Sequence, residues 1–243
     1  MERRSFFKIL GGTATLVAAN PLIVGTLYAA DGSNSMYRTY GKVQLVDESG
    51  KAILASSLTK ETPYIFNYPH ASTPCMLVDL PEPTSNDIEL VSANGDKYIW
   101  KGGVGKDRTI VAYVAICTHQ LTHPTKNNSF ITYVAKDKKT VAYDRSGIIV
   151  CSAHMSAYDP AVGCKVLGGA ATQPLNAVVI EVASDDTIWA SGILGMDIFH
   201  EYFTDFKDEL KEFYKKPALA QKLVSVSAKT VPLSKYTKEI IQY

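Results

Sequence analysis

Two short segments of this 243-residue chain each place a cysteine shortly before a histidine. They are Cys117-Thr118-His119 and Cys151-Ser152-Ala153-His154, and each follows a run of residues typical of a β-strand. A chain with this pattern must fold so that two loops, separated by residues 120–150, meet at one place. Two thiolates and two imidazoles fit a tetrahedral zinc ion, or a [2Fe–2S] cluster with both cysteines on one iron. The ligand types alone leave both alternatives open.

Short runs rich in Val, Ile, Thr and Tyr recur from Tyr37 onward, and clusters of Asp, Ser, Gly and Pro separate them. This spacing is typical of an antiparallel β-sandwich or barrel, so we predict a mainly β fold. The predicted strands are residues 42–46, 76–80, 88–91, 109–114, 130–135, 140–143, 148–151, 177–182 and 187–190.

Charge and cysteine content exclude two classes of protein. The chain has 25 Lys and Arg against 24 Asp and Glu, a formal net charge of +1, which argues against a nucleic-acid-binding protein driven by bulk charge. Its 4 cysteines are too few for a disulfide-built scaffold of this length, so their positions matter more than their number.

The N-terminal residues look like a targeting segment. A pair of arginines, Arg3 and Arg4, precedes two phenylalanines and a lysine, and residues 9–30 carry no charge. This pattern is similar to a twin-arginine export signal. As a helix the uncharged segment would be roughly 33 Å long, just enough to cross a bilayer core. We therefore expect residues 1–30 to be a cleaved signal or an uncleaved anchor, and the rest of the chain to face the periplasm at the bacterial inner membrane.

The chain changes character after about Gly195. Phenylalanine and leucine residues recur at three- and four-residue spacing between Phe203 and Phe213, with charged residues between them. This periodicity predicts an amphipathic helix that ends near Lys216, before Pro217. A second apolar and polar stretch follows at residues 224–243. Two alternatives remain for this tail: it packs back on its own domain, or it docks onto a partner subunit.

The residues around the two Cys-His segments resemble a known family. Residues 151–160 read Cys-Ser-Ala-His-Met-Ser-Ala-Tyr-Asp-Pro, and a Gly-Gly-Ala-Ala-Thr-Gln-Pro-Leu segment follows. Together with residues 117–119 and residues 103–113, these segments are similar to Rieske iron–sulfur proteins of the cytochrome bc complex and arsenite oxidase small-subunit type. The resemblance covers residues 37–195 and implies a Rieske-type antiparallel β-sandwich, with an inserted cluster-binding subdomain at about 113–175. Residues 196–243 form a C-terminal extension with the amphipathic helix.

The resemblance also implies roles for individual residues. The implied ligands of one [2Fe–2S] cluster per chain are Cys117, His119, Cys151 and His154. Ser156 is implied to donate a hydrogen bond to a bridging sulfide, and Tyr158 to the sulfur of Cys117. Such donors tune a Rieske potential, which lies between roughly −150 and +300 mV, toward the upper part of that range. His70, His123 and His200 have no predicted role at the cluster.

The sequence departs from the family pattern at one feature of the cluster loops. Most respiratory members read Cys-Thr-His-x-Gly-Cys and Cys-Pro-Cys-His-Gly-Ser, and the second cysteine of each segment joins a disulfide that clamps the two loops. Thr122 and Ala153 stand at those positions here. Cys75 and Cys164 lie outside both segments and are expected to be buried or free thiols, with a pairing between them as the alternative. The long spacing between the segments predicts an added hairpin over residues 130–143.

A Rieske centre transfers one electron at a time, so we expect an electron-transfer subunit of an oxidoreductase complex rather than a stand-alone catalyst. The first interpretation is a subunit of a respiratory quinol oxidoreductase that passes electrons from quinol and cytochrome b to a c-type cytochrome. The alternative is the small subunit of a periplasmic molybdenum oxidoreductase, as in arsenite oxidase. Ser156 and Tyr158 favour the first, and residues 103–113 with the paired arginines favour the second at least as well. A third, non-redox interpretation is a zinc-stabilised binding module.

Overall fold

The structure is a computed structural model that describes residues 36–243. The predicted signal or anchor at residues 1–30 lies outside this range. Within residues 36–243, no helix is both long enough and apolar enough to cross a membrane. Strands dominate these residues, which confirms the mainly β fold and its C-terminal helical extension.

The strands and helices of the described residues are short. The strands are β1 (Tyr37–Val46), β2 (Tyr64–Asn67), β3 (Pro74–Asp79), β4 (Ile88–Val91), β5 (Lys97–Trp100), β6 (Ile110–Val114), β7 (Asn128–Ser129), β8 (Ile131–Val134), β9 (Ile148–Cys151), β10 (Ser156–Asp159), β11 (Lys165–Gly168), β12 (Ala177–Val182), β13 (Ile188–Leu194), β14 (Val226–Lys229), β15 (Val231–Pro232) and β16 (Glu239–Ile240). The α-helices are α1 (Phe199–Asp205), α2 (Lys207–Tyr214), α3 (Pro217–Ala220) and α4 (Leu233–Tyr236).

An eight-stranded sheet forms the base of the molecule, in the order β14-β1-β13-β12-β6-β3-β2-β15. Strands β3 and β6 lie near its middle and are buried along their whole length, as their unbroken apolar sequences require. Alternate residues of β3 enter two different cores, because successive side chains of a strand point to opposite faces. Met76 packs in a core that also contains Cys117, whereas Leu77 packs in the opposite core with Tyr202 of α1.

A second, four-stranded sheet in the order β11-β10-β9-β8 carries the second Cys-His segment. All predicted strands overlap an observed strand except residues 140–143, so the hairpin predicted over residues 130–143 is wrong. Strand β8 pairs with β9 instead, and residues 135–147 form the connection. The physical reason is burial: β9 is wholly buried between its neighbours, whereas Val141 is 74% exposed and has no sheet to pack on.

The C-terminal extension packs back on its own domain, which selects the first of the two alternatives for the tail. Strand β14 lies parallel to β1, β15 pairs with β2, and β16 pairs with β7 beside the four-stranded sheet. The predicted amphipathic helix is divided at Phe206, whose backbone leaves the helical region between α1 and α2. Pro217 follows the end of α2 as expected and also begins the short helix α3.

Candidate metal centre

The first ligand loop, residues 117–122, follows β6. The amide of Cys117 donates to the carbonyl of Thr122 at 2.8 Å, and the amide of Leu121 donates to the carbonyl of Cys117 at 2.9 Å. These two bonds close the loop on itself and turn its cysteine into the interior, where Cys117 is 1% exposed. Leu121 lies at φ 55°, in the left-handed region, where the family pattern has a glycine.

The second ligand loop, residues 151–155, connects β9 to β10. Cys151 is the last residue of β9 and pairs directly with Ser156, the first residue of β10. Met155 lies at φ 55° and again replaces a family glycine. Gly169 packs against this turn so closely that a Cβ there would lie 2.0 Å from the carbonyl oxygen of Met155. A side chain at Gly169 would therefore displace the second ligand loop.

The fold brings the four predicted ligand residues together. The thiol groups of Cys117 and Cys151 are hydrogen-bonded to each other, and both residues are buried. The rings of His119 and His154 lie edge to face with centroids 4.7 Å apart, and His154 is exposed. The thiol groups thus lie on the inner side and the imidazoles on the outer side.

The two cysteines shift each other's pKa values in opposite directions. The hydrogen bond from Cys151 lowers the pKa of Cys117 to about 6, against the opposing effect of burial, and the Tyr158 hydroxyl lowers it further. The same hydrogen bond and burial raise the pKa of Cys151. A lowered pKa favours the thiolate form of Cys117, which is the form in which a cysteine binds a metal.

The donor set fits a binuclear iron–sulfur cluster. The Nδ1 atom of His119 is buried and has no hydrogen-bond partner, and a neutral imidazole nitrogen in that state is a ready metal ligand. In the described residues, no three His, Cys, Asp or Glu side chains are placed to hold a single metal ion. A [2Fe–2S] cluster needs two protein ligands for each iron, and the cysteine pair and the histidine pair would supply them.

Two hydroxyl groups lie near the cysteines, those of Tyr158 and Ser156. The Tyr158 Oη atom lies 3.2 Å from the Sγ of Cys117 and 3.2 Å from the Oγ1 of Thr118. Thr118 already donates to the carbonyl of Gln173 at 2.7 Å, so the Tyr158 proton is available to either neighbour. Ser156 is fully buried, and its Oγ accepts from the amide of Ala171 at 3.1 Å, which leaves its own proton free to donate.

Residues without a predicted role at the cluster divide into three groups. Cys75 and Cys164 are buried free thiols whose pKa values are raised by burial. His70 packs against aromatic rings of α1, and burial lowers its pKa. His200 is exposed.

His123 was not predicted to have partners, but the structure gives it several. It is buried, and its Nε2 lies 2.8 Å from the Oε1 of Glu209 in α2. The sequence signal was weak, because Glu209 lies far along the chain and only the fold brings it to this histidine.

Comparison with known proteins agrees with this geometry. No protein-family model matches the chain. It is 30% identical over 196 residues to the iodate reductase subunit IdrB of Denitromonas iodatirespirans, covering 81% of this chain and 83% of that one. It is 28% identical over 196 residues to the IdrB subunit of Pseudomonas sp. (strain SCT), covering 81% of each.

Among solved structures, the soluble domain of the Rieske protein II (soxF) from Sulfolobus acidocaldarius aligns with a TM-score of 0.42 at 24% identity, covering 63% of this chain and 78% of that one. The sequence pattern, the assembled Cys and His pairs, and the 30% identity over most of both chains lead to one conclusion. This chain belongs to the Rieske iron–sulfur protein family and is a Rieske-type electron-transfer subunit.

Proposed function

We propose that this protein binds one [2Fe–2S] cluster and relays electrons, one at a time, within a periplasmic oxidoreductase complex. Cys117 and Cys151 would hold one iron, and His119 and His154 the other. The observation that carries the proposal is the meeting of these four side chains, with a hydrogen-bonded sulfur pair inside and an imidazole pair outside. The cluster supplies the one-electron chemistry when it is bound.

The chain's own residues set the properties of that centre. Tyr158 directs its hydroxyl to the sulfur of Cys117 or to Thr118, and Ser156 has a free proton beside the same cysteine. Hydroxyl donors favour the more negative, reduced state and so raise the potential. His154 is exposed, which gives a redox partner access to the imidazole side and lets its outer nitrogen exchange protons with water.

We propose a molybdenum-containing catalytic subunit as the partner. The relatives that cover about four fifths of the chain are named as iodate reductase subunits, which supports assembly with an enzyme that acts on an oxyanion. Residues 103–113 and the paired arginines, which resemble the arsenite oxidase small-subunit type, support the same partner. Export of the folded protein, directed by residues 1–30, would place the complex in the periplasm, either soluble or attached to the inner membrane.

A respiratory quinol oxidoreductase is the second candidate complex. The hydroxyl pair of Ser156 and Tyr158 favours it, because an upper-range potential suits the oxidation of a quinol. The two candidates differ in their companion subunits: a molybdenum enzyme in the first case, and cytochrome b with a c-type cytochrome in the second.

Two measurements test these proposals in order. Analysis of the purified chain should find two irons and two acid-labile sulfides per chain, as a [2Fe–2S] cluster requires. Zinc in their place would remove the redox proposal and favour the zinc-stabilised binding module. Purification of the native complex should then yield a molybdenum-containing companion; recovery of cytochrome b instead would replace the first candidate by the second.

A further inference from the structure

The first ligand loop has no covalent clamp. Thr122 and Ala153 stand where the family disulfide would be, and all four cysteines are free thiols. The internal bonds of the loop run from Cys117 to Thr122 and from Leu121 to Cys117, and Thr118 ties its middle to the carbonyl of Gln173. Contacts beyond the loop must therefore fix its position relative to the rest of the molecule.

His123 makes such contacts immediately after the loop. Its Nδ1 lies 2.9 Å from the carbonyl oxygen of Leu121, and its Nε2 lies 2.8 Å from the carboxylate of Glu209. Both oxygens can only accept, so the ring donates from both nitrogens, to the loop and to Glu209. The ring also lies edge to face against Tyr202 at 4.9 Å and Phe206 at 4.7 Å. One imidazole thus joins the first ligand loop to the helical part of the C-terminal extension.

The helices that hold His123 are themselves fixed to the base sheet. Tyr202 of α1 is buried and donates to the carbonyl of Ser72 at 2.8 Å, beside the start of β3. Tyr214 of α2 donates to the carbonyl of Ala71 at 2.8 Å. The anchor of the first loop is therefore a rigid part of the fold and not a mobile tail.

The end of the described chain makes a second set of contacts with the segment between the two ligand loops. The amide of Ile241 donates to the carbonyl of Ser129 at 2.8 Å. The main-chain oxygen of Tyr243 accepts from the amide of Val141 at 2.8 Å and from the hydroxyl of Thr140 at 2.7 Å. The extension therefore contacts the chain from the end of the first ligand loop to the connection before β9.

We propose that His123 and Glu209 are positioning residues that hold the first ligand loop in its cluster-binding conformation, in the role that a disulfide has in other family members. This inference rests on the proposed cluster. His123 donates to the loop through Nδ1, and Glu209 fixes the other side of the ring. The C-terminal extension thereby becomes part of the metal centre without supplying a ligand.

The test is the retention of the cluster in the full-length protein carrying Glu209→Ala. Glu209 is 34% exposed, so its loss should leave the global melting temperature nearly unchanged. Iron release to a chelator should be about tenfold faster, as expected for the loss of one charge-assisted hydrogen bond. The reduced-state EPR signal should broaden, which a general loss of stability would not cause. Glu212→Ala, an exposed carboxylate on the same helix, is the matched control and should behave as wild type.

An engineered disulfide tests whether the contact between His123 and Glu209 has the same role as the disulfide of other family members. Thr122→Cys combined with Ala153→Cys in the Glu209→Ala background, with the bridge verified by thiol titration, should restore wild-type cluster retention and EPR line width. Failure of the verified bridge to restore them, or wild-type iron release from Glu209→Ala, would overturn the inference. A wild-type chain that contains no iron and sulfide would instead overturn the proposed function, so the two failures are distinguishable.

Discussion

The second ligand loop joins two paired strands, β9 and β10, whereas the first leaves β6 and enters a segment held by the C-terminal extension. The second loop is thus fixed by segments that lie comparatively near it along the chain, since Ser152 donates to Phe130 and Gly169 packs against the turn. The first loop depends on Glu209, which follows His123 by 86 positions. Two loops that supply the same ligand types therefore differ in how much of the chain is needed to form them.

The two loops also differ in the burial of one residue each, Leu121 and Met155, which share an unfavourable backbone conformation. Leu121 and Met155 both lie at φ 55° where the family pattern has glycine. Leu121 is 5% exposed, so its side chain offsets the strain by packing in the core, whereas Met155 is 36% exposed and gains little. Burial, rather than backbone geometry, distinguishes the two loops.

Removal of a ligand should have the largest effect, and the same effect in either loop. Cys117→Ser in the first loop and His154→Ala in the second each take one protein ligand from an iron, so both should abolish the reduced-state EPR signal and the bound sulfide. His200→Ala, which changes an exposed histidine, is the control. A full-intensity signal in either variant would show that its loop is not part of the centre.

Leu121→Gly should destabilise the protein by about 2 kcal/mol. Removal of a buried leucine side chain costs roughly 2–5 kcal/mol, and the greater freedom of glycine in the unfolded chain costs about 0.5–1 kcal/mol. Relief of the left-handed backbone offsets about 1–2 kcal/mol of this. Chemical denaturation at matched iron content measures the difference. A variant as stable as wild type would mean that packing does not hold the first loop, and the contrast between the loops would fail.

Several strands, and the second loop that follows one of them, could be predicted from the sequence. Strands 88–91, 148–151 and 177–182 were predicted with the bounds that the structure has, because their apolar runs are short and end at turn-forming residues. The sequence also named the Cys and His pairs and Tyr158 as neighbours, and the structure brings the Tyr158 hydroxyl to Cys117 and the two histidine rings together.

The first loop could not be predicted in the same way. His123 carries no motif, and its partner Glu209 is one of several charged residues on an amphipathic helix. Residues 140–143 have strand-forming composition but no neighbouring strand, because β9 takes the place beside β8. Pairing between distant segments depends on which surfaces the whole fold buries, and that information is not contained in a short window of sequence.

Ser156→Ala should lower the midpoint potential by on the order of 60 mV. Ser156 accepts from the amide of Ala171 and has a free proton beside Cys117. Loss of about 1.4 kcal/mol of hydrogen bonding to the reduced state corresponds to about 59 mV for a one-electron couple. Redox titration followed by EPR measures the shift, with Ser146→Ala, whose hydroxyl donates to the carbonyl of Lys136, as the control. An unchanged potential would mean that the Ser156 hydroxyl does not donate to the cluster.

Met155→Gly should have the smallest effect, a stabilisation below about 1 kcal/mol. Glycine removes the strain of the left-handed conformation, roughly 1–2 kcal/mol, but it costs about 0.5–1 kcal/mol by increasing the freedom of the unfolded chain. Since Met155 is 36% exposed, little packing is lost. Chemical denaturation beside Leu121→Gly compares the two loops directly, because both variants relieve the same φ of 55° and differ in burial. Equal destabilisation of both variants would show that Met155 contributes as much packing as Leu121 and would remove the distinction between a packed first loop and an exposed second one.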